Sequence, residues 1–360
     1  MIITMGGDIC STDANREMYA NKETKKLFND VLDVFAQADY NIINLECAIT
    51  ESEHRIRKFG PNLKSPLNTA AVLKEAGITH IGLSNNHTFD FGIPGIKDTM
   101  AELDKYGIAY TGIGENDIDA RKNLIIEKDG IKIALITVCE HEYSYALPDR
   151  LGAREYDPYD TNDDIAEAKK TADYVVVMYH GGKELCRYPS PRLRKLCRSM
   201  ATHGADIVLC QHSHCIGCYE NFKDCHILYG QGNFHFVKLA GMANEMWDSG
   251  LLLKFDITKD KCDITFIPTV VSEGTISLAK GEEKETILKE FEARNEELQN
   301  GEWLKGWHEF CEDNRPNYTT PLSTRDYDHF SHYLDCEAHT DVWRELFPTW
   351  NKSNEKPGRL

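Results

Sequence analysis

Six short phrases in this chain carry residue types that do chemistry. They are Gly7-Asp8, Asn44-Leu45-Glu46, Asn85-Asn86-His87 with Asp90, His180-Gly181-Gly182-Lys183-Glu184, His212-Ser213-His214 and Gly232-Asn233-Phe234. Together they offer carboxylates, imidazoles and amide oxygens. A mixed nitrogen and oxygen donor set of this kind needs no thiolate and suits Mn, Fe or Zn rather than a calcium cage. An H-x-H on an extended segment points its rings to opposite faces. On a loop that curls around two ions, the same two rings can serve different metals. Six or so donors are too many for one tetrahedral zinc and suit a pair of ions about 3.5–4 Å apart. Such a pair needs a bridging carboxylate, and Glu46 is the best candidate. Two divalent transition-metal ions are therefore the expected cofactor.

The donors need elements to position them. Strand-like apolar runs at residues 1–5, 40–45, 78–83, 174–179 and 206–210 precede Asp8, Glu46, Asn85, His180 and His212 in turn, and 226–229 precedes Asn233. The C-terminal ends of strands are where open α/β sheets build their sites. Between these runs the spacing predicts helices over 24–38, 68–76, 96–106, 164–172 and 191–203, and a hairpin around Asp129-Gly130. Later strand-like runs, 251–255 and 264–268, follow without helices. Alternation followed by a strand-rich stretch predicts an α/β (α+β) sandwich on mixed sheets. From about residue 276 the character changes. A charged helix over 286–298 leads into a segment holding Trp303, Trp307, Trp343 and Trp350. A charged, aromatic-rich tail of this kind is expected to be mostly helical and to pack on a neighbour.

Composition excludes some classes of function. The formal net charge of −17 argues against a nucleic-acid-coating protein and against docking on anionic lipid. No apolar run approaches the roughly 20 residues of a membrane helix, and the start MIITMGGDIC lacks the pattern of a leader. The expectation is a cytoplasmic chain. The 12 cysteines then read as reduced, buried small hydrophobes. The set Cys210, Cys215, Cys218 and Cys225 contains a C-x-x-C but lacks the paired spacing of a zinc site.

The order of these phrases resembles the CapA (PGA-cap) capsule-synthesis family of the calcineurin-like metallophosphatase superfamily, over roughly residues 2–236. The resemblance implies a four-layer αββα sandwich over residues 1–275, with 276–360 as an appended extension. It implies that Asp8 and His214 hold one ion, that Asn86, His180 and His212 hold the other, and that Glu46 bridges. It implies His87 as general acid, with Asp90 as its partner. The first motif departs from the superfamily's usual D-x-H: Cys10 stands in the third position, either as an extra ligand or, preferably, as a core residue. Gly181-Gly182 stands where relatives often carry a tryptophan, which widens the pocket in expectation.

Other residues near the phrases have weaker claims. Asn85, Glu184, Arg187 and Asn233 are candidates to touch substrate, with Tyr188 close by. Glu140 and His141 follow another strand. Arg57, Lys58 and Lys64 lie where an anionic substrate would approach. Three functions compete. One is a metal-dependent hydrolase acting in capsule, poly-γ-glutamate or related envelope-polymer metabolism, on an anionic small molecule or polymer fragment. The second is a general cytosolic metallophosphoesterase. The third is a non-catalytic, metal-stabilised accessory protein.

Overall fold

The computed structural model describes residues 1–140, 143–238 and 245–347; His141 and Trp350 lie outside these. Two mixed sheets pack face to face. In the first, strand Ile2–Cys10 is central. It pairs in parallel with Tyr40–Leu45, which leads to His80–Gly82 and Ala109–Thr111, and antiparallel with Ser249–Ile257, which leads to Cys262–Ser272 and Thr275–Leu278. In the second, Ile131–Cys139, Tyr174–His180, Ile207–Gln211 and Cys225–Leu228 run parallel, with antiparallel edges at Leu124–Lys128 and Tyr219–Phe222. Residues 174–179 of the strand Tyr174–His180 are an unbroken apolar run because both faces are covered, as in buried parallel strands.

Three apolar clusters define four layers. Helix residues Leu27, Phe28, Leu73 and Leu103 pack on Ile43, Leu45 and Ile81 of the first sheet. Ile3, Met5 and Ile42 meet Ile133, Leu135, Val176 and Leu209 between the sheets. Ile165, Leu193, Leu196 and Met200 cover the second sheet at Ile136, Val177 and Val208. The αββα sandwich is therefore observed. Both helices on this last face start on strong signals: Asp157 and Ser190 cap them, each followed by a proline.

The predicted helix over 24–38 is instead two short helices, Thr24–Phe28 and Val31–Phe35. Asn29 between them takes φ 41°, and its amide donates to the Ile276 carbonyl. Asp30 accepts from the Leu278 amide and pairs with Lys280. Docking on strand Thr275–Leu278 outweighs the local spacing.

Among the described residues four helices follow strand Thr275–Leu278: Gly281–Asn300, Trp303–Thr324, Tyr327–His332 and Glu337–Leu346. Trp303, Trp307, Tyr318 and Val342 join the same cluster as Leu196 and Met200, so these helices extend the outer helical layer. No helix among the described residues is long and apolar enough to cross a membrane.

Candidate metal centre

The parallel strands of both sheets end at one edge of the sandwich, and there the donors meet. Strand Ile2–Cys10 shifts register around Asp8 against both of its parallel partners. Such an irregularity re-aims a side chain. It needs glycine at position 7, where a Cβ would lie 2.4 Å from the Gly232 carbonyl oxygen. Glu46 follows Tyr40–Leu45, His180 ends Tyr174–His180, and His212 and His214 sit on the loop after Ile207–Gln211. Both of these last two take left-handed backbone, φ 79° and 50°. Strain of that kind concentrates where a loop is held for function.

Glu46 is the hub. It is fully buried, and His180 Nε2, His214 Nε2 and His212 Nδ1 stand 3.2, 3.9 and 4.0 Å from its Oε1. The shortest of these contacts lacks hydrogen-bond geometry, and among the described residues neither oxygen of Glu46 has a hydrogen-bond partner. Asp8 is equally buried. Its Oδ1 accepts from Asn44 (2.7 Å) and its Oδ2 from the His212 amide (3.0 Å). Two donor groups converge within 4.8 Å: Asp8, Glu46 and His180, and Glu46, His212 and His214. The resemblance divides the imidazoles differently, yet His214 Nδ1 also lies 3.8 Å from Asp8, and Glu46 is shared in either division. Asn86 Oδ1 is 2.9 Å from His180 Nε2.

The two carboxylates titrate in opposite directions. Burial raises Asp8, and the Glu46 charge raises it further. Burial opposes ionisation of Glu46 too, but the fields of His214 and His180 outweigh it and hold Glu46 well below the usual range. Like charges sharing one site split in this way. A buried carboxylate with no donor of its own, ringed by imidazoles and a second carboxylate, is the donor set that a divalent cation completes. The residues present therefore fit a metal site.

Beside the cluster, His87 Nδ1 lies 2.6 Å from Asp90 Oδ2. The buried Lys58 ammonium donates to Asp90 Oδ1 (2.6 Å) and stands 3.2 Å from His87 Nδ1, and the Leu63 amide donates to Oδ2.

The remaining candidates fall into clear roles. Asn85 makes four hydrogen bonds, donating to Asn44 Oδ1 and the Leu45 carbonyl and accepting from the His87 amide and the Thr88 hydroxyl. That exhausts an amide's capacity, so Asn85 holds the turn and offers substrate nothing. Asn233 binds His214 Nδ1 (2.9 Å) and the Trp247 carbonyl, fixing the ring of His214. Arg187 donates to Met246 Sδ and pairs with Glu290. Tyr188 donates its hydroxyl to Glu297. Glu184 lines a neighbouring cleft, open to solvent although protein surrounds it, and pairs with Lys183. Cys10 donates to the Ser11 carbonyl within the apolar cluster of the first sheet. Among the described residues no metal-compatible group includes a cysteine.

Two expectations are corrected. Lys58 does not await an anion, being buried and committed to Asp90, while Lys64 pairs with Glu53 and Arg57 with Asp328 at the surface. Gly181 does not widen the pocket, because a Cβ there would lie 2.6 Å from Glu140 Cγ. Glu140 fills that space, bound by the Tyr179 hydroxyl, Arg192 (2.5 Å) and the Gly182 amide (3.1 Å). Three contributors escaped the sequence reading. Asn44, which braces Asp8, lay inside a quoted phrase. Arg192 and Trp247, whose indole packs on His214 at 4.1 Å, gave no local signal.

Comparison with known proteins gives the family. The family described as "Bacterial capsule synthesis protein PGA_cap" matches residues 2–238. The chain belongs to that family. "PGA biosynthesis protein CapA" of Bacillus subtilis (strain 168) is 32% identical over 234 residues, covering 64% of this chain and 62% of its own. "Capsule biosynthesis protein CapA" of Bacillus anthracis is 30% identical over 245 residues, covering 66% and 60%. This chain thus spans only part of the length of these relatives. Among solved structures, a hypothetical protein from Thermus thermophilus overlays with a TM-score of 0.46 at 16% identity, over 78% of this chain and 100% of its own. The family match contains every residue of the cluster, and Trp247 and the four C-terminal helices lie beyond it.

Proposed function

We propose that this PGA_cap family member is a metal-dependent hydrolase of the phosphoester type, serving capsule or related envelope-polymer metabolism. The observation that carries this reading is Glu46: a buried carboxylate without a hydrogen-bond partner, shared by two donor groups. Asp8, Glu46, His180, His212 and His214, with Asn86 beside them, would hold two divalent cations such as Mn, Fe or Zn. Cations there would supply Lewis-acid chemistry, polarising an ester oxygen and acidifying water. The chain's own groups do the rest. The Asp90 carboxylate, 2.6 Å away, accepts the Nδ1 proton of His87, and the ring in its imidazolium form carries a second proton on Nε2 toward the site. From Nε2 a proton passes to the departing alcohol oxygen, a step that contributes about 10²–10⁴-fold. Lys58 holds Asp90 in place through its other oxygen. Asn44 and Asn233 orient Asp8 and His214.

Protein purified without chelator should carry about two transition-metal equivalents. It should turn over generic phosphoesters with Mn²⁺, and His87→Ala should lose that activity while keeping its metal. A metal-free protein under these conditions sinks the reading. The names of the Bacillus relatives refer to biosynthesis, which favours a second reading: an accessory protein whose metals serve only stability. Full metal loading without turnover of phosphoesters or poly-γ-glutamate supports that alternative.

A further inference from the structure

A cleft of about 450 Å³ lies beside the metal cluster. Three of its lining residues tie it to the centre. The Leu185 amide donates to the carbonyl of Ser213, between His212 and His214 (2.7 Å). Phe59 follows Lys58, which bonds Asp90. Met246 precedes Trp247, which packs on His214. The opposite wall comes from beyond the family match: Asn314, Asn317, Tyr318, Tyr333 and His339 of the C-terminal helices.

That wall is anchored to the site. Arg192 bridges Glu140, whose amide donates to the His180 carbonyl, and Asp341 of the last helix (2.8 Å). Phe59 stacks on His329 and His332 with ring centroids 4.6 and 4.4 Å apart. The C-terminal helices thus hold the loop that carries Lys58 and the start of the helix that carries Arg192.

The lining chemistry narrows the occupant. Its carboxylate and its ammonium, Glu184 and Lys183, pair with each other at 3.2 Å, and the His332 ring is stacked against Phe59. His339 is neutral, since burial and the Lys183 charge push it down to about 2. What remains is aromatic faces and neutral amide and phenol edges. Such a surface accepts a ring with one apolar face and a hydrogen-bonding rim. A chain with a carboxylate in every repeat would bring several negative charges against one lysine that is already paired.

We propose that this cleft binds the part of the substrate beyond the reacting group, and that its occupant is a neutral ring bearing hydroxyl or amide groups. The C-terminal helices are on this view a specificity wall. The inference rests on reading the metal cluster as the catalytic centre, and the test separates the two.

Calorimetry on the full chain loaded with Mn²⁺ compares inorganic phosphate with the phosphonate analogue of N-acetylglucosamine 1-phosphate, whose C–P bond a phosphoesterase does not cleave. The sugar phosphonate should bind about tenfold or more tightly than phosphate. In Asn314→Leu/Asn317→Leu that ratio should fall to near unity. Asn317 is exposed and Asn314 half-buried, and unchanged melting temperature and metal content report an intact fold. Equal affinities in the unaltered chain, or a ratio that survives the double substitution, overturns the proposal. Failure of phosphate itself to bind counts against the metal-centre reading instead. The cleft is then judged by ligand-observed NMR with unphosphorylated N-acetylglucosamine: a signal lost in the variant supports it, and equal signals refute it.

Discussion

Glu46 and Glu140 are both buried carboxylates at strand ends, and their surroundings are opposite. Glu140 accepts from the Tyr179 hydroxyl, the Arg192 guanidinium and the Gly182 amide. Glu220 resembles it, bound by Arg194, Arg198 and the Tyr229 hydroxyl. Glu46 has imidazoles at 3.2–4.0 Å and no hydrogen bond to either oxygen. Removing a carboxylate from water is costly unless donors or an opposite charge replace that water. The chain supplies the replacement at Glu140 and Glu220, so those sites brace the fold. At Glu46 it supplies a ring of further ligands, and a cation is what completes it.

The comparison breaks or holds on four measurements. Glu140→Gln leaves Arg192 with Asp341 alone and should cost about 3–5 kcal/mol in denaturant unfolding. Glu46→Gln, in chelator-treated protein, should leave stability unchanged or raised. Similar losses in both would erase the distinction. Glu220 comes next. Burial opposes its ionisation, but Arg198 and Arg194 hold its carboxyl down to about 2. A depressed folded pKa gives stability that is present above the unfolded value near 4.5 and lost as pH falls toward 2. Glu220→Gln should therefore cost about 3 kcal/mol at pH 7 and little at pH 2; a pH-independent loss would assign the effect to packing. Third, Mn²⁺ at a hundred times its dissociation constant should stabilise the unaltered chain by about 2.7 kcal/mol and Glu46→Gln hardly at all, read from melting temperature. The smallest effect is at the orienting amide. Asn233→Leu should weaken metal binding about 10–100-fold without emptying the site at saturating metal, and unaltered affinity would remove Asn233 from the centre.

Much of the site was legible because its donors follow recognisable apolar runs, a local signal. The strands ending at Leu45, His180 and Gln211 lie close to where periodicity puts them. Legibility failed where a residue's role depends on a distant partner. The break at Asn29 answers to Ile276, and Lys58 answers to Asp90 rather than to an incoming anion. Gly181 looked like vacant space until Glu140 was seen to occupy it.

By itself the sequence determined the alternation of strands and helices, the type of each donor and its position at a strand end, since these follow from side-chain chemistry and short-range periodicity. Only the tertiary structure decided that the donors come from two different sheets, that Glu46 is shared and without a hydrogen-bond partner, and that residues beyond 300 wall the neighbouring cleft. The physical reason is that desolvation and pairing are set by whichever groups fill the space around a side chain. Asp341 meets Arg192, and Arg192 meets Glu140, across stretches of chain that no local pattern spans.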